Sequence, residues 1–214
     1  NYAVSSYGTL QSLLLLERLL SKRDTAPTIV IMAHARFHLD RNVVSAQWGR
    51  SVRAGSRFPH GIPRGRLDDG ALSIELVRYS PWPLAKQSAL VNYLEEKFSE
   101  LRFRSGQQAV FEAILCRMNE LCHQRNSSLI FVDIYDDSGL ETAQHLNLAA
   151  ISGFPKKDFQ ANESLFTENN HPSAVAQRYI AGQVANHLLD NPPGISATPL
   201  LSPGFRPAHS RGPR

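Results

Sequence analysis

A histidine and an acidic residue lie close together just before the last amphipathic segment of the chain. The stretch Glu168-Asn-Asn-His171-Pro172-Ser173 places an imidazole three residues after a carboxylate and directly before a helix start. A carboxylate at that distance can accept the Nδ1–H of the ring, which fixes the tautomer and leaves Nε2 free to take a proton from a nucleophile. These residues therefore predict a general base at His171, oriented by Glu168. A histidine that caps the helix beside a solvated acid is the alternative, and the residue types alone leave both open.

Two other groups of residues resemble sites of known chemistry. His34 and His38 have the i, i+4 spacing that can hold zinc, but neither an HExxH motif nor a clear third ligand accompanies them. Residues 136–139 (Asp-Asp-Ser-Gly) imitate a nucleophile turn without its preceding glycine, so Ser138 is predicted to cap a helix instead. The chain has no Gly-x-Gly-x-x-Gly and no Walker loop. We therefore predict no cofactor and no metal.

One segment of the chain is strongly basic. The stretch from Arg36 to Arg66 contains seven arginines and a single acid, Asp40, whereas the net charge of the whole chain is +4. Such a surface can bind the phosphate groups of a nucleic acid, an anionic lipid surface or an acidic polymer, and a solvated arginine-rich loop is the alternative. Because no stacking aromatics or recognition motif accompany the arginines, a nucleic-acid partner is not expected.

Short apolar runs alternate with amphipathic segments along the chain. This alternation predicts a three-layer α/β domain with a mostly parallel sheet. We predict central strands at 28–34 and 129–134, an exposed strand or hairpin arm at 72–79, a short strand at 149–151, and helices at 9–21, 88–101, 107–125, 139–146 and 172–189. In the last helix Pro172 takes the first position, and Val175, Ile180, Val184 and Leu188 face inward. The stretch 36–66 is predicted to be irregular because glycine and proline interrupt it.

Composition sets the outer limits of these predictions. The 214 residues are 42% hydrophobic, which is enough for one domain, assigned to 1–190. Proline and glycine dominate residues 191–214, which are predicted to form a disordered tail. The two cysteines, Cys116 and Cys122, lie on one predicted helix in directions that cannot bridge, so both are expected to be reduced. The longest uncharged stretch, 1–16, contains Asn, Ser, Thr and Gln and predicts no transmembrane segment. Compartment and oligomeric state are not indicated.

Two short motifs resemble blocks of the SGNH (GDSL-type) hydrolases. Residues 169–173 (Asn-Asn-His-Pro-Ser), which lead into an amphipathic helix, are similar to that family's C-terminal block. The opening, residues 1–11 (Asn-Tyr-Ala-Val-Ser-Ser-Tyr-Gly-Thr-Leu-Gln), resembles its second block, and the run 28–32 falls where the third block follows. The order and spacing of the blocks agree up to Leu189.

The resemblance implies a flavodoxin-like sandwich and an ester-cleaving site. In that family a serine from a Gly-Asp-Ser block attacks an ester carbonyl, a histidine is the general base, and an aspartate orients it. His171 matches the base, and Glu168 stands where a more widely spaced aspartate would be. Asn169 occupies the alternative aspartate position and cannot carry its charge. The implied substrate is a small ester or an acylated carbohydrate.

The chain also departs from the family pattern. It contains no Gly-Asp-Ser block, so the nucleophile is expected upstream of Asn1. Ser6 replaces the second-block glycine, whose backbone N–H would face the oxyanion. The third-block Gly-x-Asn-Asp reads Ala-His-Ala-Arg at 33–36, so Arg36, or His34 or His38, is the expected replacement donor. Two functions are therefore predicted: an ester hydrolase or acyl-transferring enzyme, or a non-catalytic module that binds an anionic or carbohydrate polymer through the Arg36–Arg66 face.

Overall fold

The protein is a mixed α/β chain of twelve described elements. The computed structural model describes residues 7–22, 26–54, 61–135, 137–154 and 172–192. In chain order the elements are α1 (Thr9–Lys22), β1 (Ile29–His34), α2 (Phe37–Val43), α3 (Ala46–Ala54), β2 (Ile62–Asp68), β3 (Ala71–Val77), α4 (Ala89–Arg104), α5 (Gln107–Gln124), β4 (Ser128–Asp133), α6 (Leu140–His145), β5 (Ala149–Ser152) and α7 (Ala174–Asp190).

Three short apolar runs form a small parallel sheet in the order β1-β4-β5. Their β-branched and aromatic side chains suit strands that are covered on both faces. All three strands were predicted, within one residue at either end. The prediction that β1 is central is wrong within the described residues, because only β4 lies beside it. Its outward side chain Ile31 is accordingly 52% exposed.

One face of the sheet is covered by α1 and α5. Both helices present an apolar stripe at helical spacing, which forms the main core with Met32 and Phe131 from the sheet. The buried residues of the helices that contribute are Leu10, Leu13, Leu16, Leu20, Val110, Phe111, Ile114, Leu115, Met118 and Cys122. Cys116 and Cys122 are both free thiols, as predicted.

The other face is covered by α7, where Ile180, Val184 and Leu188 pack against Ile130, Val132 and Ile151. The helix starts later than predicted, because Ser173 is the N-cap and its Oγ accepts from the Ala176 N–H at 3.3 Å. Pro172 therefore precedes the cap instead of occupying the first helical position. Val175, predicted to face inward, is exposed, and Ala176 is buried in its place.

The stretch predicted to be irregular, 36–66, instead contains α2, α3 and most of β2. The stretch has apolar residues at helical spacing: Leu39 and Val43 are buried on one face of α2, and Val52 is buried on α3. β2 then pairs antiparallel with β3. The connecting turn contains Asp69 and Gly70 with φ of 51° and 81°, the left-handed conformation that two-residue hairpins favour. The predicted strand 72–79 is thus confirmed as a hairpin arm.

Three further predictions concern a helix N-cap, membrane-spanning segments and the C-terminal tail. The N-cap of α6 is Gly139, one residue after the predicted Ser138. No helix in the described ranges is both long enough and apolar enough to cross a membrane. The tail from residue 193 onward lies outside the described residues.

Candidate functional site

The three parallel strands end at the same edge of the sheet. His34, Asp133 and Ser152 are the last residues of β1, β4 and β5, and the strand register places them side by side. Ligands of open parallel sheets bind outside the carboxyl ends of the strands. This carboxyl edge is therefore the candidate site, and the residues that follow each strand determine its chemistry.

Asp133 organises the segment that follows β4. Its side chain is fully buried, and its two carboxylate oxygens accept from the backbone N–H groups of Tyr135 at 3.2 Å and Gly139 at 2.8 Å. A side chain at position 139 would have its Cβ 2.8 Å from the ring of His34, so only glycine fits. On the neighbouring strand, Ser152 donates its hydroxyl to Asp137 Oδ1 at 2.6 Å. The carboxylate of Asp133 thus holds the loop that leads into α6.

Two histidines lie beneath this edge. The ring of His34 is fully buried and packs against Phe111 at 4.5 Å and Phe131 at 5.5 Å between ring centres. His38 lies edge-on to it at 5.4 Å, and its Nδ1 accepts from the Ala35 N–H at 3.3 Å. Burial, together with His34 and Arg41, lowers the pKa of His38 from 6.5 to about 3. His38 is therefore neutral near pH 7, with its proton on Nε2.

The start of α1 is fastened to α2, the helix that follows β1. Arg41 donates to the carbonyl of Tyr7 at 2.9 Å, and Asn42 Oδ1 accepts from the Leu10 N–H at 2.9 Å. Gly8 donates its N–H to Gln11 Oε1 at 2.8 Å, and a Cβ at Gly8 would approach that of Arg41 to 2.8 Å. The residues that lead into α1 therefore pack against α2, the helix that follows β1.

Of His171, Glu168, Ser6 and Arg36, the predicted site residues, Arg36 alone is described; the alternative donors, His34 and His38, are the two histidines described above. Arg36 is exposed and lines a polar cleft of about 360 Å³ between α2, α3 and α4, together with Asp40 and Glu100. Burial raises the pKa of Asp40, with Arg36 opposing the rise and Glu100 adding to it. Ser6, Glu168 and His171 lie outside the described residues. The assignments of the base, its orienting acid and the oxyanion donors therefore stay predictions.

Much of the positive charge of the Arg36–Arg66 segment is paired. Arg50 bonds to Glu95 at 2.8 Å and also to Glu96. In the described part of the segment, Arg64 also pairs with Glu75 at 2.6 Å and Arg66 pairs with Asp68 at 2.7 Å. Arg41 is turned inward, with its guanidinium over the rings of Phe37 and Trp48. The segment is therefore less available to an anionic polymer than its composition predicts.

The described residues do not favour a reactive cysteine or a metal site. Burial raises the pKa of the Cys122 thiol to about 11 and also raises that of Cys116, so neither forms a thiolate readily near neutral pH. Within the described ranges, no three His, Cys, Asp or Glu side chains lie close enough together to hold a metal ion.

Sequence reasoning missed Asp133 and Asn42. Asp133 could have been found, because a charged residue that ends a buried apolar run marks the carboxyl end of a strand. Asn42 lies in the stretch predicted to be irregular, and no local pattern indicates its bond to α1.

Comparisons with protein-family models, curated proteins and solved structures found no match to this chain.

Proposed function

We propose that this chain belongs to an ester hydrolase or acyl-transferring enzyme of the SGNH type, in which His171 is the general base and Glu168 orients it. The nucleophile in this proposal is a serine on a segment that precedes Asn1. The substrate is a small ester or an acylated carbohydrate.

The observation that carries the proposal is the position of the start of α7. Phe154, two residues beyond the end of β5, is buried against Ala176, and its ring stacks on Tyr179 at 5.5 Å between ring centres. The first turns of α7 are therefore packed at the carboxyl edge of the sheet. Pro172 is joined to His171 by one peptide bond, which spans 3.8 Å between Cα atoms. We therefore propose that a base at position 171 lies close to the edge at which ligands of such sheets bind.

The strand order supports a flavodoxin-like sandwich as the complete fold. In the order 2-1-3-4-5 the last three strands are parallel and consecutive, as β1, β4 and β5 are here. In this arrangement the strand that ends in the nucleophile would lie beside β1. It would cover the edge at which Ile31 is half exposed.

The second-block contacts support the proposed oxyanion donors. Tyr7, which follows Ser6, is bonded through its carbonyl to Arg41 on α2. This bond places Tyr7 beside α2, the helix that begins directly after Arg36. The backbone N–H of Ser6 and the guanidinium of Arg36 would then donate to the negative oxygen of the tetrahedral intermediate.

The proposed reaction needs no cofactor. The serine Oγ bonds to the ester carbonyl carbon while His171 Nε2 takes the hydroxyl proton. The intermediate collapses, the bond to the alcohol oxygen breaks, and His171 returns the proton to the departing alcohol. Water, or the hydroxyl of an acceptor, then attacks the acyl-enzyme in the same manner and releases the acid or the new ester.

The test uses the protein extended upstream through a Gly-Asp-Ser segment. It should hydrolyse p-nitrophenyl acetate, and His171→Ala should lower kcat/KM by roughly a thousandfold or more, as expected for the loss of a catalytic base. His123→Ala, which changes an exposed histidine at the end of α5, is the matched control and should leave the rate unchanged. An unchanged rate in His171→Ala would refute the base. A folded, extended protein that is inert on a broad ester panel would instead favour the binding module.

A further inference from the structure

Helix α4 turns its polar side toward the protein and its apolar side outward. Its buried residues are Glu95 and Ser99. Glu95 accepts from Arg50, from the hydroxyl of Tyr79 at 2.6 Å and from the backbone N–H of Trp82, while Ser99 Oγ accepts from the Ala46 N–H at 2.9 Å. Polar contacts to α3 and to the segment after β3 therefore hold this helix in place.

The outward side of α4 is a continuous apolar stripe. Its residues are between 48% and 70% exposed: Leu90, Tyr93, Leu94, Phe98 and Leu101. Exposed Trp82 extends the stripe, with its ring 5.5 Å from that of Phe98. At roughly 100 Å² per half-exposed large side chain, these six residues present about 600 Å², the upper end of what monomeric proteins expose in one patch.

We propose that this stripe is the interface of a symmetric homodimer, in which α4 packs antiparallel against α4 of a second copy of the chain. The stripe contains the alternating spacing of four and three residues that forms a helix-packing seam, at Leu90, Leu94, Lys97 and Leu101. With a polar rim, the stripe approaches the roughly 800 Å² per partner of a standard interface.

The stripe is complementary to itself when one copy is reversed. Leu90 and Leu101 lie equally far from the point midway between Glu95 and Glu96, as do Tyr93 and Phe98. A two-fold axis at that point therefore sets leucine opposite leucine and brings Tyr93 of one copy level with Phe98 of the other, which is the requirement of an isologous contact. The remaining position places Leu94 opposite the aliphatic stem of Lys97, whose ammonium is already paired with Glu100 at 2.8 Å.

The charges of α4 favour a second copy over a lipid surface. The helix carries three acids and three bases: Glu95, Glu96, Glu100, Lys97, Arg102 and Arg104. Helices that bind anionic membranes have an excess of lysine and arginine beside their apolar face. A balanced set of charges provides no such attraction, and it imposes no net repulsion between two copies.

The oligomeric state of the wild-type chain tests the proposal. Sedimentation velocity at about 1 to 100 µM, a range that covers the affinities of ordinary homodimers, should show a species with twice the mass of the chain. Leu94→Glu should weaken the dimer by roughly a hundredfold, as expected at the buried centre of an interface. Leu189→Glu is the matched control, since Leu189 is 80% exposed on α7, and it should leave the dimer intact. Circular dichroism should show that both variants stay folded.

Cross-linking tests the antiparallel register. Leu90→Cys and Leu101→Cys proteins should form a disulfide dimer when mixed and should form little when oxidised separately, relative to the wild-type background from Cys116 and Cys122. A wild-type chain that is monomeric throughout the concentration range would overturn the proposal. So would a dimer that Leu94→Glu leaves intact, or a monomer that binds phosphatidylserine vesicles through this stripe.

Discussion

Replacing His38 with asparagine should remove a large part of the acid sensitivity of the fold. His38 lies in the first turn of α2, where its Nδ1 accepts from the backbone N–H of Ala35. Asparagine retains an acceptor at the same place through Oδ1 but has no titrating group. The titratable side chains that act on the imidazole are His34 and Arg41, and neither provides a compensating negative charge.

The sign of the effect follows from the lowered pKa. Burial, with help from His34 and Arg41, brings the folded pKa of His38 to about 3, whereas an unfolded histidine titrates at 6.5. Between these values the unfolded chain binds a proton that the folded chain does not, so the free energy of unfolding falls as the pH falls from 6.5 toward 3. At about 1.4 kcal/mol per pH unit, the loss between pH 6.5 and pH 5 is about 2 kcal/mol.

Urea unfolding at pH 7.5 and pH 5.0 measures this loss. The free energy of unfolding of the wild-type chain should fall by about 2 kcal/mol more than that of His38→Asn, because the other titrating groups cancel in the comparison. His123→Asn, at an exposed histidine, should retain the wild-type pH dependence. Equal losses in the wild type and His38→Asn would show that the imidazole is not held neutral by its surroundings.

Two further stability changes follow from the structure and the composition. Glu95→Ala should lower the free energy of unfolding by about 2 to 3 kcal/mol, because it leaves Arg50 and the Tyr79 hydroxyl without their shared buried acceptor. Glu96→Ala, which removes a more exposed partner of the same arginine, should cost less than about 1 kcal/mol, and equal losses in guanidinium chloride unfolding would contradict this ranking. Deleting residues 191–214, whose proline-rich composition offers no periodic apolar face, should leave the melting temperature unchanged; a drop of several degrees by calorimetry would show that the tail docks.

The strands and long helices were predictable because their own residues specify them. The runs at β1 and β4 are short and β-branched, and the stripe from Val110 to Met118 on α5 repeats at helical spacing, so local pattern and tertiary burial agree. The stretch 36–54 forms two helices that the sequence does not predict, because arginines interrupt the helical period of its apolar residues. The charges of the arginines are satisfied by distant acids, as in the pair of Arg50 with Glu95, which no local window shows.

The inverted orientation of α4 was also beyond sequence reasoning. An amphipathic helix is normally expected to bury its leucines, and only the tertiary partners of Glu95 and Ser99 reverse that expectation. The carboxyl edge was predictable in outline, since parallel strands place their ends together. The bonds of Asp133 to the loop before α6 depend on backbone geometry that composition does not encode.

The mass of the extended protein after incubation with a fluorophosphonate is the most direct test of the proposed enzyme. This reagent forms a stable bond with a serine that a general base activates. We expect one phosphonyl group per chain on the serine of the Gly-Asp-Ser segment, and its loss in the folded His171→Ala variant. A folded wild-type protein that stays unlabelled, or labelling that His171→Ala leaves unchanged, would contradict the assignment of His171 as the base of a serine hydrolase.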